Sequence, residues 1–155
     1  MLKWLNNKKK DNKGFSLVEL IIVVAIMAIL VGLLAPQYLK YVEKSRKSAD
    51  ASNLDQMVQA VQVYAADAET TLPAGEYEIK IEASGTTVTD NATLKAALNE
   101  AVPGYATTKL KSNKWNTENG NASYVAATIT VTQDGGTTVE YEPASLATYV
   151  NKTAK

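Results

Sequence analysis

The 155-residue sequence predicts an α+β fold, in which a long N-terminal α-helix packs against a small antiparallel β-sheet. Three observations carry this. From Phe15 to Ala35 the side chains are almost all apolar; beyond Pro36 apolar residues recur mostly at three- and four-residue steps; after Gly75 the spacing becomes alternation in a Thr-, Gly-, Ser- and Asn-rich composition.

The apolar stretch comes first. Its strongly polar members are Ser16 and Glu19, and as a helix its 21 residues would span about 32 Å at about 1.5 Å per residue, which matches a bilayer core of roughly 30 Å. A secretory signal peptide fits less well. Its apolar region is normally about 7–15 residues and leads into an A-x-A-like site, whereas here the run from Leu20 to Ala35 is longer and places Leu33 at the third position before the end. Helical spacing then continues through Leu39, Val42, Ala49, Leu54, Val58, Val61, Ala65 and Ala68, with a gap across "EKSRKSAD". Lys40, Glu43, Lys44, Arg46, Lys47, Asp50 and Asp55 supply the expected wet face, and "TTLPAG", with Pro73 and Gly75, the expected stop. One helix of some fifty residues results, and Gly32 and Pro36 are expected to bend or loosen it, because proline removes a backbone donor and crowds the preceding turn.

Beyond it, "EYEIKIE" sets Tyr77, Ile79 and Ile81 on one face and Glu76, Glu78, Lys80 and Glu82 on the other, the pattern of a half-buried strand. "TLKAALNEAVPG" reads as a short helix with Thr93 as cap, Leu94, Ala97, Leu98 and Ala101 on one face, and Pro103-Gly104 as stop. "SYVAATITVTQDGGTTVEYE" reads as a hairpin turning at Asp134-Gly135-Gly136, with Val125, Ala127, Ile129 and Val131 facing Val139 and Tyr141 as its inner set. "PASLATYVNK" is expected to form a closing helical turn with Leu146, Tyr149 and Val150 as contacts. The stripe of the long helix is the expected partner of the sheet.

Composition excludes several classes. With no cysteine and no histidine there is no disulfide framework, thiolate metal site, cysteine nucleophile or Ser-His-Asp triad. Sixteen basic and sixteen acidic residues balance, but Lys3, Lys8, Lys9, Lys10 and Lys13 against Asp11 give the first fourteen residues about +4 and leave the remainder about −4. Clustered cations for nucleic acid are therefore missing from the folded part. No cofactor and no metal are expected, and an enzyme is not, since only carboxylates could act and no two form a convincing pair.

Glu19 poses the main question, because an ionisable group in a spanning segment costs on the order of 3 kcal/mol at the bilayer centre and less near its edge. Two explanations stand. Ser16 and Glu19 match S-x-x-E, a capping box that would place the carboxylate at the positive end of the helix dipole. Alternatively, a cut between Gly14 and Phe15 would create an α-amino group one turn before Glu19, and a neighbouring subunit could pair its amine with this carboxylate.

"KGFSLVELIIVVAIMAILVGLLAPQYLKYVEKSR" resembles the N-terminal region of type IV pilins and the related pseudopilins. The matching features are the Lys-rich leader ending in Gly14, Phe15 after it, Glu19 four residues later, the unbroken apolar stretch and Pro36, a resemblance strong over residues 13 to about 47 and loose over the rest. It implies a leader at 1–14, an anchoring and filament-core helix at 15–36, an amphipathic half at 37–72 and a β-rich head at 73–155. It implies cleavage after Gly14 by a prepilin peptidase, N-methylation of Phe15, and an assembly role for Glu19 as a register device. The partners implied are membrane lipid before assembly, the pilus assembly machinery, and further copies of the chain in a helical filament serving adhesion, motility, DNA uptake or biofilm formation. The precursor would sit in the cytoplasmic membrane with its N-terminus inside. One departure is the lack of the C-terminal disulfide that many pilins carry. A pseudopilin of a secretion or DNA-uptake machine shares these features, and a single-pass surface-binding protein remains a third reading.

Three weaker patterns complete the reading. "NTENGN", Asn116 to Asn121, loosely resembles a calcium loop but lacks its Asp-rich pattern and distal Glu, so a solvated turn is expected. Tyr38, Tyr41 and Tyr64 are expected as packing residues rather than an electron path. The triplets at Asn91, Asn121 and Asn151 match the glycosylation pattern at a rate chance supplies.

Overall fold

The computed structural model describes residues 14, 16–67, 69, 72–115 and 123–153. The chain divides into two compact units, one up to Tyr41 and one from Val42 onward. Helix α1, Leu17–Ala66, belongs to both. It is followed by β1 (Gly75–Glu82), β2 (Gly85–Val88), α2 (Ala92–Ala101), a 3₁₀ turn (Tyr105–Thr107), β3 (Val125–Val131), β4 (Thr137–Glu142) and α3 (Ala144–Thr153).

In the first unit the described residues are all exposed, as a helix that is apolar on every side must be when nothing covers it. The helix runs unbroken through Gly32 and Pro36.

The second unit is an α+β fold. Its four strands pair antiparallel in the order β2-β1-β3-β4. Alternation puts Tyr77, Ile79 and Ile81 of β1 and Val125, Ala127, Ile129 and Val131 of β3 on the inner face, where each is at most 4% exposed. Ala127 pairs with Tyr141 and Ile129 with Val139, the expected hairpin register. Against this face lie Ala51, Leu54, Met57, Val58, Val61 and Ala65 of α1, Leu94 and Leu98 of α2, and Leu146 and Val150 of α3. Each fully buried Leu, Ile or Val contributes roughly 1.5–3 kcal/mol, so the stripe of α1 holds the sheet in place.

Three expectations are corrected, and one strand is additional to them. Helix α1 ends at Ala66 rather than near residue 72. The Asp67 side chain accepts a hydrogen bond from the Glu69 amide at 3.0 Å, turning the chain before Pro73 is reached. The β3–β4 turn also closes on the helix end: Gly135 has φ +79°, and a Cβ there would stand 3.0 Å from the Ala65 carbonyl oxygen. The cap of α2 is Asn91, whose Oδ1 accepts from the Leu94 amide at 2.9 Å, and Thr93 lies inside the helix. Strand β2, "GTTV", escapes the sequence because it is short and carries no apolar alternation; Thr86 anchors it by donating its hydroxyl to the Thr108 carbonyl at 2.8 Å. Gly85 is required there, since a Cβ would meet the Ala106 carbonyl oxygen at 2.8 Å. The third correction is Asp50, which is fully buried instead of solvated.

Candidate functional site

The start of α1 is a reciprocal capping box. The Ser16 amide donates to Glu19 Oε2 at 3.2 Å, and the Glu19 amide donates to Ser16 Oγ at 3.2 Å. Two amide donors that a helix start leaves open are thereby satisfied, and the Glu19 carboxylate lies where the helix dipole is positive. Both residues are exposed, so the carboxylate stays accessible to a further cation. Gly14 is described and exposed, while Phe15 lies outside the described residues.

From Leu17 to Leu34 the large apolar side chains stand 51–74% exposed. This part of α1 is long and apolar enough to cross a membrane. A core helix of a soluble protein would pass the same length test but would be buried; here none of the apolar window is. Tyr38 and Tyr41 are exposed and Tyr64 half-buried.

In the second unit the polar centre is Asp50. Its Oδ1 accepts from the Lys111 amide at 2.7 Å, and its Oδ2 from the Ser112 amide at 2.9 Å and the Trp115 indole at 3.0 Å. Ser112 Oγ in turn donates to Glu43 and accepts from the Lys114 amide at 3.1 Å. Trp115 is capped on one side by the Lys47 ammonium, 4.9 Å from its ring centre, and meets the edge of Tyr149 at 5.5 Å. A buried carboxylate surrounded by donors is stable only because its acceptor sites are used, and here they bind the 111–115 loop to the helix. Sequence reading missed this because a charged residue in an amphipathic helix is by default assigned to water, and its partners lie some sixty residues away.

Residues 9–35 match the family model for the prokaryotic N-terminal methylation motif. This is the type IV prepilin leader motif. No curated protein and no solved structure matches the chain. The prepilin motif indicates a type IV pilin-like or pseudopilin protein, and its apolar helix fits the membrane anchoring of a precursor. Gly14, Ser16, Glu19 and Gly32 lie within the motif and Pro36 just beyond it. The folded unit, from Val42, lies outside it, and so does the Asp50 network. Residues Asn116 to Asn121, the loose calcium-loop pattern, lie outside the described residues.

Proposed function

We propose that the chain is the precursor of a structural subunit of a type IV pilus. The observation that carries this reading is the prepilin motif at the head of an unbroken helix whose first half is apolar and exposed and whose last third belongs to the core of a folded unit. Cleavage after a signal peptide at residue 35 would cut that helix in its middle, whereas a cut between Gly14 and Phe15 leaves Leu17–Ala66 entire.

On this reading a prepilin peptidase removes residues 1–14 and the new Phe15 amine is methylated. The precursor waits in the cytoplasmic membrane with its N-terminus inside. Assembly exchanges lipid for sister helices over the same apolar surface, so little hydrophobic free energy is lost in leaving the bilayer. Residues 15–36 form the filament core, the rest of α1 supports the sheet, and Gly32 and Pro36 let the helix adapt. Glu19 already holds Ser16, and its exposed carboxylate is free to take the amine of a neighbouring copy; in a low-dielectric filament core that pair sets the axial register. The small folded unit favours a main subunit, with adhesion, motility, DNA uptake or biofilm formation as the filament's uses.

The deciding experiment is the mass of the N-terminal peptide of protein taken from its native cells, together with electron microscopy of the cell surface. A peptide starting at Phe15, heavier by one methyl group, with long filaments of this chain, supports the pilus. Processing without surface filaments selects a pseudopilin, and an intact leader on mature surface protein returns the chain to a single-pass anchored protein.

A further inference from the structure

A groove of about 900 Å³ runs along the second unit, between the C-terminal part of α1 and α2. Its apolar wall includes Ala60, Val63, Ala97, Ala101, Val102 and Pro103, and Val63 is 72% exposed, a large β-branched side chain left in water by its own fold. Asp67 and Glu100 also line it, and among the described residues no lysine or arginine does. The groove is apolar along its wall and negative at its edge.

The same unit carries the complement. Lys44 and Arg46 of α1 are exposed, and among the described residues neither makes an ion pair or a ring contact. Their neighbours are engaged inside the unit: Glu43 with Ser112, Lys47 with Trp115. Among the described residues, Lys44 and Arg46 thus leave a local positive surplus of +2 with no partner.

Donor and acceptor cannot meet within one molecule. Lys44 and Val63 lie on one helix, 19 residues or about 28 Å apart along its axis. They can meet between two copies displaced along their helices by about that length. Such a contact uses different surfaces on the two partners and leaves one groove and one basic segment open, so it repeats rather than closing into a dimer.

We propose that the groove between α1 and α2 receives the Lys44/Arg46 segment of a second copy of this chain. The inference rests on the filament reading above and adds to it a lateral contact made by the folded units, separate from the contacts of the apolar helices. The ion pairs lie at the rim, where they select orientation and stagger; the apolar wall supplies the area.

The chain's lack of cysteine permits a direct test in the full-length protein. Ser45→Cys and Ala101→Cys stand beside the charged residues without replacing them. In filaments carrying both substitutions, oxidation should give a ladder of dimers, trimers and longer species; each substitution alone should give none, and co-expressed single variants should give dimers. The second arm is charge exchange: Lys44→Glu with Arg46→Glu, or Glu100→Lys with Asp67→Lys, should each lower filament yield at least tenfold, and the combination should restore it. Filaments that form normally yet yield no ladder, or both charge-reversed variants assembling as the parent does, overturn the groove contact and leave the pilus reading standing. Loss with either reversal but no rescue by the combination assigns the groove to a different protein and also overturns the proposal. Absence of filaments in the parent, with the leader uncut, is failure of the pilus reading itself.

Discussion

The Trp115 indole donates to Asp50 Oδ2 at 3.0 Å across 65 residues of sequence, and both side chains are buried. This bond and the two from the Lys111 and Ser112 amides tie a loop with no regular secondary structure to α1. In a chain without cysteine they do the work of a cross-link, at least over residues 111–115.

Asp50→Asn is therefore expected to destabilise the folded unit by about 2–4 kcal/mol, because an amide nitrogen would face one of the three donors and leave it unsatisfied in the interior. Trp115 is the one tryptophan after residue 14, so in a background carrying Trp4→Phe its fluorescence reports the loop directly. Denaturant unfolding of the full chain in detergent measures the change; a loss below about 1 kcal/mol would show that water replaces the network.

Glu19→Gln separates capping from charge. The glutamine retains an oxygen for the Ser16 amide, so membrane insertion and the helix start should persist. Filament yield should fall tenfold or more if the carboxylate pairs with an amine. Normal yield from Glu19→Gln and low yield from Glu19→Ala would instead make the residue a cap alone.

Asn91→Ala should cost about 1 kcal/mol, and Asn91→Ser much less, since serine also caps α2. Beside it the Lys95 ammonium, 2.5 Å from Asp90 Oδ1, holds the Asp90 carboxyl below its ordinary range, chiefly through their hydrogen bond. That pair is exposed, so Lys95→Ala should change stability little and the difference should shrink in salt. Thermal melts of the three variants side by side check the ranking.

Burial raises the Tyr77 hydroxyl above its ordinary value of 10.0. The unfolded chain releases this proton first, so the Tyr77 contribution is intact below about pH 10 and is lost as pH rises through the raised folded value. Its hydroxyl also donates to the Pro73 carbonyl at 2.6 Å, a bond the phenolate cannot make. Tyr141 is raised too, by burial and then by the Asp55 charge. Alkaline titration by tyrosinate absorbance should therefore show a late fraction that shrinks in Tyr77→Phe and in Tyr141→Phe. Full titration of all eight tyrosines at their ordinary pKa in the folded chain would refute this.

What the sequence disclosed follows from how local its causes are. The strands β1 and β3 and the hairpin register follow from alternation and turn residues acting over a few positions, α3 follows from the three- and four-residue spacing of Leu146, Tyr149 and Val150, and all four were legible. The capping box at Ser16 and Glu19 was legible for the same reason. Strand β2 was not, because "GTTV" acquires its strand character from pairing with Ile79–Glu82 rather than from its own side chains. Asp50 was misplaced because its burial is decided by donors on a distant loop. The Asn91 cap was displaced by two residues because Asn91 and Thr93 are both competent caps by type, and the choice depends on where the Leu94 amide points.

The apolar half of α1 has a consequence for the life history of the molecule. Fourteen large hydrophobic side chains between Leu17 and Leu34 remain more than half exposed, a penalty on the order of 20 kcal/mol in water. None of the described residues of the same copy covers it. The chain therefore has no aqueous resting state: at every stage something else must wrap that helix, and transfer between wrappings has to be a handover without an interval. Any apparatus that moves this protein must release one covering and supply the next in a single concerted motion, and a copy that misses the exchange has aggregation as its remaining fate.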